Sequence, residues 1–480
     1  MTSRPSILVT MKPYRYFSRL VGVIWLDRTC VSLASMNHNG ITMTVSPQRR
    51  LDILDALRRG AVPGAGLDVL AVGLDNISTT FGEELDRLPS GGAVFKAIRG
   101  DYGSGKTFTT RWLAEQAKSR GMAAAEVQIS EVDTPPHKYQ TIYRRLVEQL
   151  STSTERGGAL KSIVDAWFFN LEDDVLAAGV DPNDTTLLTE KTSELIEQRL
   201  GDINKTAPAF SAVLRAYLQA TNEGDGATAD GLLAWLGGQP HVAAAVKRKA
   251  NVKGDLDHDG ALGFLAGLLS LLKNAGYPGL VVVLDEIETM QRMRTDVRDK
   301  GLEALRKLID DIYENRFPGL YLCITGTPAF FDGQQGVQRL TPLAQRLQTD
   351  FGTEPRFDNP RAVQIRLHGF DMASLVEVGT KVRDLFAEGA PDPNRIMSVV
   401  DDSYLEDLAR AVTGQLGGHV GVSPRIYLKK LVAGVLDMVE LNDEFDPRQH
   451  YKLTVEDADL TTAERRARAG QSADDIELDV

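Results

Sequence analysis

Residues 98–108 read IRGDYGSGKTF, and no other stretch of the chain restricts its fold so tightly. Gly100 to Thr107 fit the spacing GxxxxGK[ST], in which Gly100, Gly103 and Gly105 permit left-handed backbone, so that successive N–H groups can converge on an anion. An apolar strand, AVFKAI at 93–98, leads into the loop, and a helix, TFTTRWLAEQAKSRG, leads out of it. That helix would bury Phe108, Trp112 or Leu113, and Ala117, and its N-terminal dipole would point at the same anion. The stretch therefore predicts a cradle for nucleotide phosphates built from Gly100, Asp101, Tyr102, Gly103, Ser104, Gly105, Lys106 and Thr107, with Phe108 beside it. Lys106 is expected to bridge the β- and γ-phosphates of ATP, and the Thr107 hydroxyl to take one position on Mg²⁺.

A phosphate loop needs a parallel sheet behind it, and the remaining apolar runs supply one. Candidate strands are AAEVQIS (124–130), LVVVLDE (280–286), LYLCITGT (320–327) and AVQIRL (362–367), with helical patterns between them. The near-continuous apolar character of the middle runs is that of strands covered by helices on both faces. Roughly 150 residues separate the second strand from the third, too many for one crossover. SELIEQRL, AFSAVLRAYLQA and GLLAWLGG read there as helices of an insertion at about 151–275. The expected organisation is a leader at 1–42, an N-terminal helical segment at 43–90, an ATPase core at 91–360, a helical lid at 361–460 and a tail at 461–480. Ser46 with Pro47 behind it starts the first helix, and Met43 just before it is the expected translation start. DLDHDG at 255–260 resembles the opening of a calcium loop, but the twelfth position is Ala266 where a bidentate glutamate is needed. Asp259 is expected instead to cap the helix that follows.

Charge and cysteine content narrow the function classes. With 54 basic and 66 acidic residues the net charge is −12, so no chain-wide surface for a polyanion is expected. Two cysteines, Cys30 and Cys323, have no metal-ligand spacing, and the longest apolar run, LVGVIWL at 20–26, is far shorter than a membrane span. A cytoplasmic protein with no membrane association is expected. DNA contact, if made, is local: residues 292–307 hold six basic residues (Arg292, Arg294, Arg298, Lys300, Arg306, Lys307) against Asp296, Asp299 and Glu303.

GLVVVLDEIETM delivers Asp285 and Glu286 at the C-terminal end of a strand, where open α/β sheets bind ligands. Asp285 is expected to hold Mg²⁺ and Glu286 to polarise an attacking water, the pattern of hydrolysis rather than mere binding. Thr325 and Thr327 either sense the γ-phosphate or are ordinary strand-end threonines. GVSPRIYLKKLVAGVLD opens a helix with Ser423 as cap and Arg425 in its first turn, with Ile426, Leu428, Leu431, Val432 and Val435 as buried face. An arginine there opposes the helix dipole, a cost that a nearby phosphate offsets.

RRLDILDALRRGAVPGAGLDVLAVGLD, IRGDYGSGKTF, AEVQISEVDTPPHKYQTIYRRLVEQL, VVLDEIETM, ITGTPAFFDG and GVSPRIYLKKLV together resemble the ATP-binding BrxD proteins of BREX phage-defence systems, which are similar to AAA+ ATPases. The resemblance covers about residues 46–455. It implies an AAA+-like P-loop fold, with Gly100 to Thr107 as the Walker A loop, Asp285 and Glu286 as the Walker B pair, Thr325 as first sensor and Arg425 as second. It also implies that Val62, Pro63 and Val72 contact the adenine. AAA+ relatives take an arginine from a neighbouring subunit, and GVQRLTPLAQRL offers Arg346, or Arg339, in that place. The helical insertion departs from the pattern, and no winged-helix DNA-binding domain is expected after the lid. The expectation is an ATPase of a defence system, acting as a homo-oligomer with other defence proteins and with DNA as a further partner. The alternative is an ATP-loaded scaffold without useful turnover.

Overall fold

The apolar runs form five strands: β1 Val94–Arg99, β2 Ala123–Gln128, β3 Leu280–Asp285, β4 Leu320–Gly326 and β5 Gln364–Arg366. All pairings are parallel, in the order β2-β3-β4-β1-β5. The computed structural model describes residues 45–352, 354–415, 424–456, 460 and 465. The leader with Cys30 and Met43, the Ser423 cap and all of the tail except Arg465 lie outside them.

The α/β P-loop architecture expected from the sequence is the one observed. The sheet buries a different core on each face, because its side chains alternate. Ala123, Ala125, Val127, Val282 and Leu284 face a large core shared with the helices between β2 and β3, where Trp167, Phe210 and Phe264 are fully or almost fully buried. Ile98, Ala124, Val281, Val283 and Tyr321 face the P-loop helix Lys106–Ser119 and the helix Asp75–Leu85. A charged clamp ties this second layer down. Lys96 of β1 pairs with Glu84 at 2.6 Å, the Tyr321 hydroxyl donates to the same carboxylate at 2.7 Å, and all three side chains are buried.

A third core lies beyond the sheet. The helices Met372–Ala387, Asp402–Gln415 and Pro424–Lys429, with a π-helical continuation Lys430–Leu436, close around Leu375, Leu405, Tyr427 and Val435. The helix Pro47–Arg58, far earlier in the chain, contributes Ile53, Leu54 and Leu57 to the same core. Ser46 caps that helix by accepting from the Arg49 amide at 3.3 Å, with Pro47 in its first turn. Arg58 forks onto Asp437 at 2.8–3.1 Å, fastening it to the C-terminal helices.

The cap of the helix His258–Asn274 falls two residues earlier than expected. Asp257, not Asp259, accepts from the Gly260 amide at 2.8 Å. Asp255 meanwhile pairs with Lys247, so the carboxylates of this stretch turn to separate local tasks rather than to a shared ion. Among the described residues no helix is long and apolar enough to cross a membrane.

Candidate functional site

Strand register builds the site. Gln128 on β2 lies level with Asp285 on β3, and Leu284 with Ile324, which sets Asp285 beside Thr325 on β4. Ile98 on β1 is level with Thr325, so the loop from Gly100 leaves the sheet next to that row. One polar group from each of three strands thus meets the phosphate-loop candidate at the C-terminal edge.

The loop is shaped by its glycines. Gly103 and Gly105 have φ of 83° and 90°, and Gly105 stands immediately before the helix. A Cβ at Gly100 would fall 2.3 Å from Ser104 Oγ, so a bare position there is what lets Ser104 tuck in. Ser104 Oγ is buried and has no hydrogen-bond partner among the described residues. Lys106 is buried and turned back over its own loop, donating to Gly100 O at 2.7 Å and Asp101 O at 3.0 Å, with its ammonium 5.3 Å from the centre of the Tyr102 ring. Burial lowers its pKa below the ordinary lysine value, against the opposing pull of Glu288, Asp285, Asp101 and Glu286. A buried cation, an unpartnered hydroxyl and a helix N-terminus at one loop are a donor set suited to phosphate.

Thr107 Oγ1 donates to Asp285 Oδ2 at 3.0 Å, which brings the two expected Mg²⁺ ligands together. Thr325, fully buried, donates its hydroxyl proton to Asp285 Oδ1 and accepts from the Glu286 amide at 3.1 Å. Thr327 Oγ1 is buried without a partner among the described residues. Glu286 itself sits at φ 59°, a left-handed conformation that costs a non-glycine residue on the order of 1 kcal/mol and that gathers at functional positions. Its Oε2 accepts from Gln128 Nε2 at 2.9 Å.

The other expected residues are spread around this centre. Val62, Pro63 and Val72 lie on a segment strung between the P-loop helix and the C-terminal helices. Arg111 donates to Val62 O at 3.2 Å, Glu115 accepts from the Gly66 and Leu67 amides at 2.7 and 2.8 Å, and Lys381 donates to Ala71 O at 2.6 Å. Phe108 packs against both the second and the third cores. Arg425 lies against Gly60, where an added Cβ would meet its Nη1 at 3.4 Å, at the start of the same segment. Arg346 and Arg339 are both engaged within the chain: Arg346 forks onto Asp310 and donates to Pro342 O at 2.7 Å, and Arg339 forks onto Asp299.

Three site residues escape a reading of the sequence. Gln128 reaches Glu286 only through the β2–β3 register. Phe370 approaches the loop from the C-terminal helices, 3.7 Å from a Cβ placed on Gly105. Glu288 is 5% exposed, and neither carboxylate oxygen has a hydrogen-bond partner among the described residues. Burial pushes its pKa up to about 7, with Lys106 and its own backbone amide pulling it down and Asp285 and Glu286 adding to the rise. Its place three residues past Asp285 was the available signal.

Compared with known proteins, residues 45–455 match the family described as BREX system ATP-binding protein BrxC/D. The structure is similar to that of the Aeropyrum pernix ORC2 protein in ADPNP-ADP complexes, with 13% identity over 84% of this chain and 68% of that one. The TM-score is 0.37, a likeness too distant to bear on function. No curated protein matches.

Proposed function

Since the chain belongs to the BREX system ATP-binding protein BrxC/D family, we propose that it is the BrxD-type ATPase of such a system, hydrolysing ATP to change how it engages its partners. The observation that carries this reading is the contact of Thr107, Asp285, Thr325 and Glu286 at one sheet edge beside the phosphate loop. A glutamate one residue past Asp285, held in a left-handed conformation, supports hydrolysis over holding alone.

Bound Mg²⁺-ATP supplies the phosphoryl group and the counter-charge. The loop amides, the Ser104 hydroxyl and the Lys106 ammonium hold phosphate oxygens, and Thr107 and Asp285 hold the metal. Thr325 orients Asp285 through its hydroxyl and Glu286 through the backbone amide. Glu286 accepts a proton from the attacking water. Gln128 steadies one oxygen of the Glu286 carboxylate, and the other can meet the water. Val62, Pro63 and Val72 contact the base, and Arg425 reports nucleotide state to the C-terminal helices. The protein is cytoplasmic, assembles as a homo-oligomer and works with other proteins of the defence system.

The test is steady-state phosphate release alongside nucleotide binding. Lys106→Ala should abolish binding, because it removes the main cation on the phosphates. Glu286→Gln should bind ATP and lose turnover by on the order of a hundredfold or more. Turnover at the parent's rate in the glutamine variant would mean that Glu286 does not take the proton from water. A parent that binds ATP yet releases no phosphate, with partners and DNA present, would favour a scaffold.

A further inference from the structure

Among the described residues, every acid or base named at the sheet edge has a hydrogen-bond partner except one. Asp285 accepts from Thr107 and Thr325, Glu286 accepts from Gln128, and Lys106 donates to two loop carbonyls. No other described residue donates to the Glu288 carboxyl, which only its own backbone amide approaches, yet it is as deeply buried as Asp285. It stands in the first turn of the 3-10 helix Ile287–Arg292, and among the acids it exerts the largest pull on the Lys106 ammonium and on the Tyr102 hydroxyl. Both of those belong to the phosphate loop, so the unpartnered carboxyl faces the loop from the Walker B side.

The surroundings decide which form of the carboxyl a phosphate-filled loop can tolerate. From the loop, Lys106, Tyr102 and Asp101 face this region. From the end of β3 come Asp285 and Glu286, and from its own helix Arg292, beside Tyr102. On the helix Thr295–Tyr313, Arg298 is bound to Gln291 O and Thr295, and on the helix Pro328–Asp332, Asp332 is tied to Arg99. Lys106 is therefore the cation that favours ionised Glu288. Phosphates in the loop would draw that ammonium toward themselves and add negative charge of their own. Both changes favour the neutral acid, and a neutral acid has a proton to donate.

Resting on the reading of the loop as an ATP site, we propose that Glu288 is a further nucleotide-binding residue that acts as a neutral carboxylic acid, donating a hydrogen bond to a phosphate oxygen, so that ATP binding takes up a proton. The sign follows from linkage. Below about pH 7 the carboxyl already carries its proton before nucleotide arrives, and binding needs none. Above that pH the proton must be acquired on binding, and affinity falls with rising pH, by at most about tenfold per unit.

Isothermal titration of the full chain with ATP tests this at about pH 8, in two buffers of different ionisation enthalpy, with EDTA present so that no metal charge opposes the effect. The difference in heat should report uptake of up to about one proton in the parent. Glu288→Gln, a neutral isostere, should lose that uptake, bind with an affinity flat across pH, and bind at least as tightly as the parent at the alkaline end. Glu288→Asp, which keeps a titrating carboxyl, should retain uptake. Equal uptake in the parent and the glutamine variant, or none in the parent, with ATP bound in each case, overturns the proposal and leaves the nucleotide site standing. Failure of all three proteins to bind ATP overturns the site and the proposal together.

Discussion

Lys96 and Glu84 show how a single buried charge is made tolerable. The ammonium, 2% exposed in its side chain, meets the carboxylate at 2.6 Å and also donates to Ala362 O at 2.9 Å and Pro360 O at 3.3 Å. The carboxylate in turn accepts from Tyr321. Removing one partner leaves the other charged in a dry layer, the costly case, whereas replacing both with neutral groups does not. Lys96→Met should therefore destabilise the protein by about 3–5 kcal/mol, seen as a lowered urea midpoint, and adding Glu84→Gln to it should restore part of that loss. A double variant no more stable than the single one would show that the pair is not the source of the effect. At this scale the sequence is informative where chemistry and spacing coincide, as at Lys106, Asp285 and Glu286. It marks Glu288 only as an acid three residues past Asp285 and is silent on Gln128 and Phe370, because an amide at a strand end and an aromatic in a connection acquire meaning only from their neighbours across the fold.

Among the elements, the parallel strands are legible to within about two residues, since β3 and β4 are near-continuous apolar runs and the others are mainly apolar stretches between turn signals. Capping is less so. Asp257 and Asp259 are equally able caps two residues apart, and only the backbone direction selects the first. The π-helical stretch Lys430–Leu436 is hidden for a related reason, as its buried residues Leu431, Val432 and Val435 also fit an ordinary α-helix. The helix Thr295–Tyr313 divides its charges in a way composition does not reveal. Arg298 is buried and bonded to Gln291 O, and Arg306 is occupied by Glu303 and Asp310. Arg292, Lys300 and Lys307 are exposed, as is Arg294, which only approaches Asp296 at 3.4 Å. If DNA is bound along this helix and the turn before it, the exposed four make the phosphate contacts. Replacing Arg294, Lys300 and Lys307 together by alanine should reduce the slope of log affinity against log salt by about 2–3, measured by anisotropy with duplex DNA. A parent slope near zero, or one unchanged by the triple substitution, removes this surface from consideration.

For the whole molecule the open matter is whether one chain completes the site. Arg346 is held by Asp310 and Pro342 O on a helix whose Leu343 and Leu347 are buried, so to reach a neighbouring subunit's phosphate it must exchange Asp310 for that anion. Loss of the partly exposed pair costs about 1 kcal/mol of stability. Loss of a cation at the transferred phosphate costs on the order of a hundredfold or more in turnover. Arg346→Ala should therefore leave ATP affinity and the melting temperature nearly unchanged while lowering turnover, with partial rescue on mixing with a Glu286→Gln chain that retains Arg346. A protein that stays monomeric with Mg²⁺-ATP and shows a rate strictly proportional to its concentration would refute the arrangement in trans.

The shared core of Pro47–Arg58 with the C-terminal helices has a mechanical meaning. Residues on either side of the phosphate loop in sequence belong to one body, which the chain leaves and re-enters at two crossings, near residues 59–74 and 367–371. Any turning of such a body against the sheet would be confined to rotation about the line between those two crossings. Glu115 and Lys381 grip one crossing from opposite sides, and Phe370 sits in the other, above Gly105. A ligand seated at Gly105 would lie beside one of those two crossings, where a small displacement has the longest lever on the far ends of the helices.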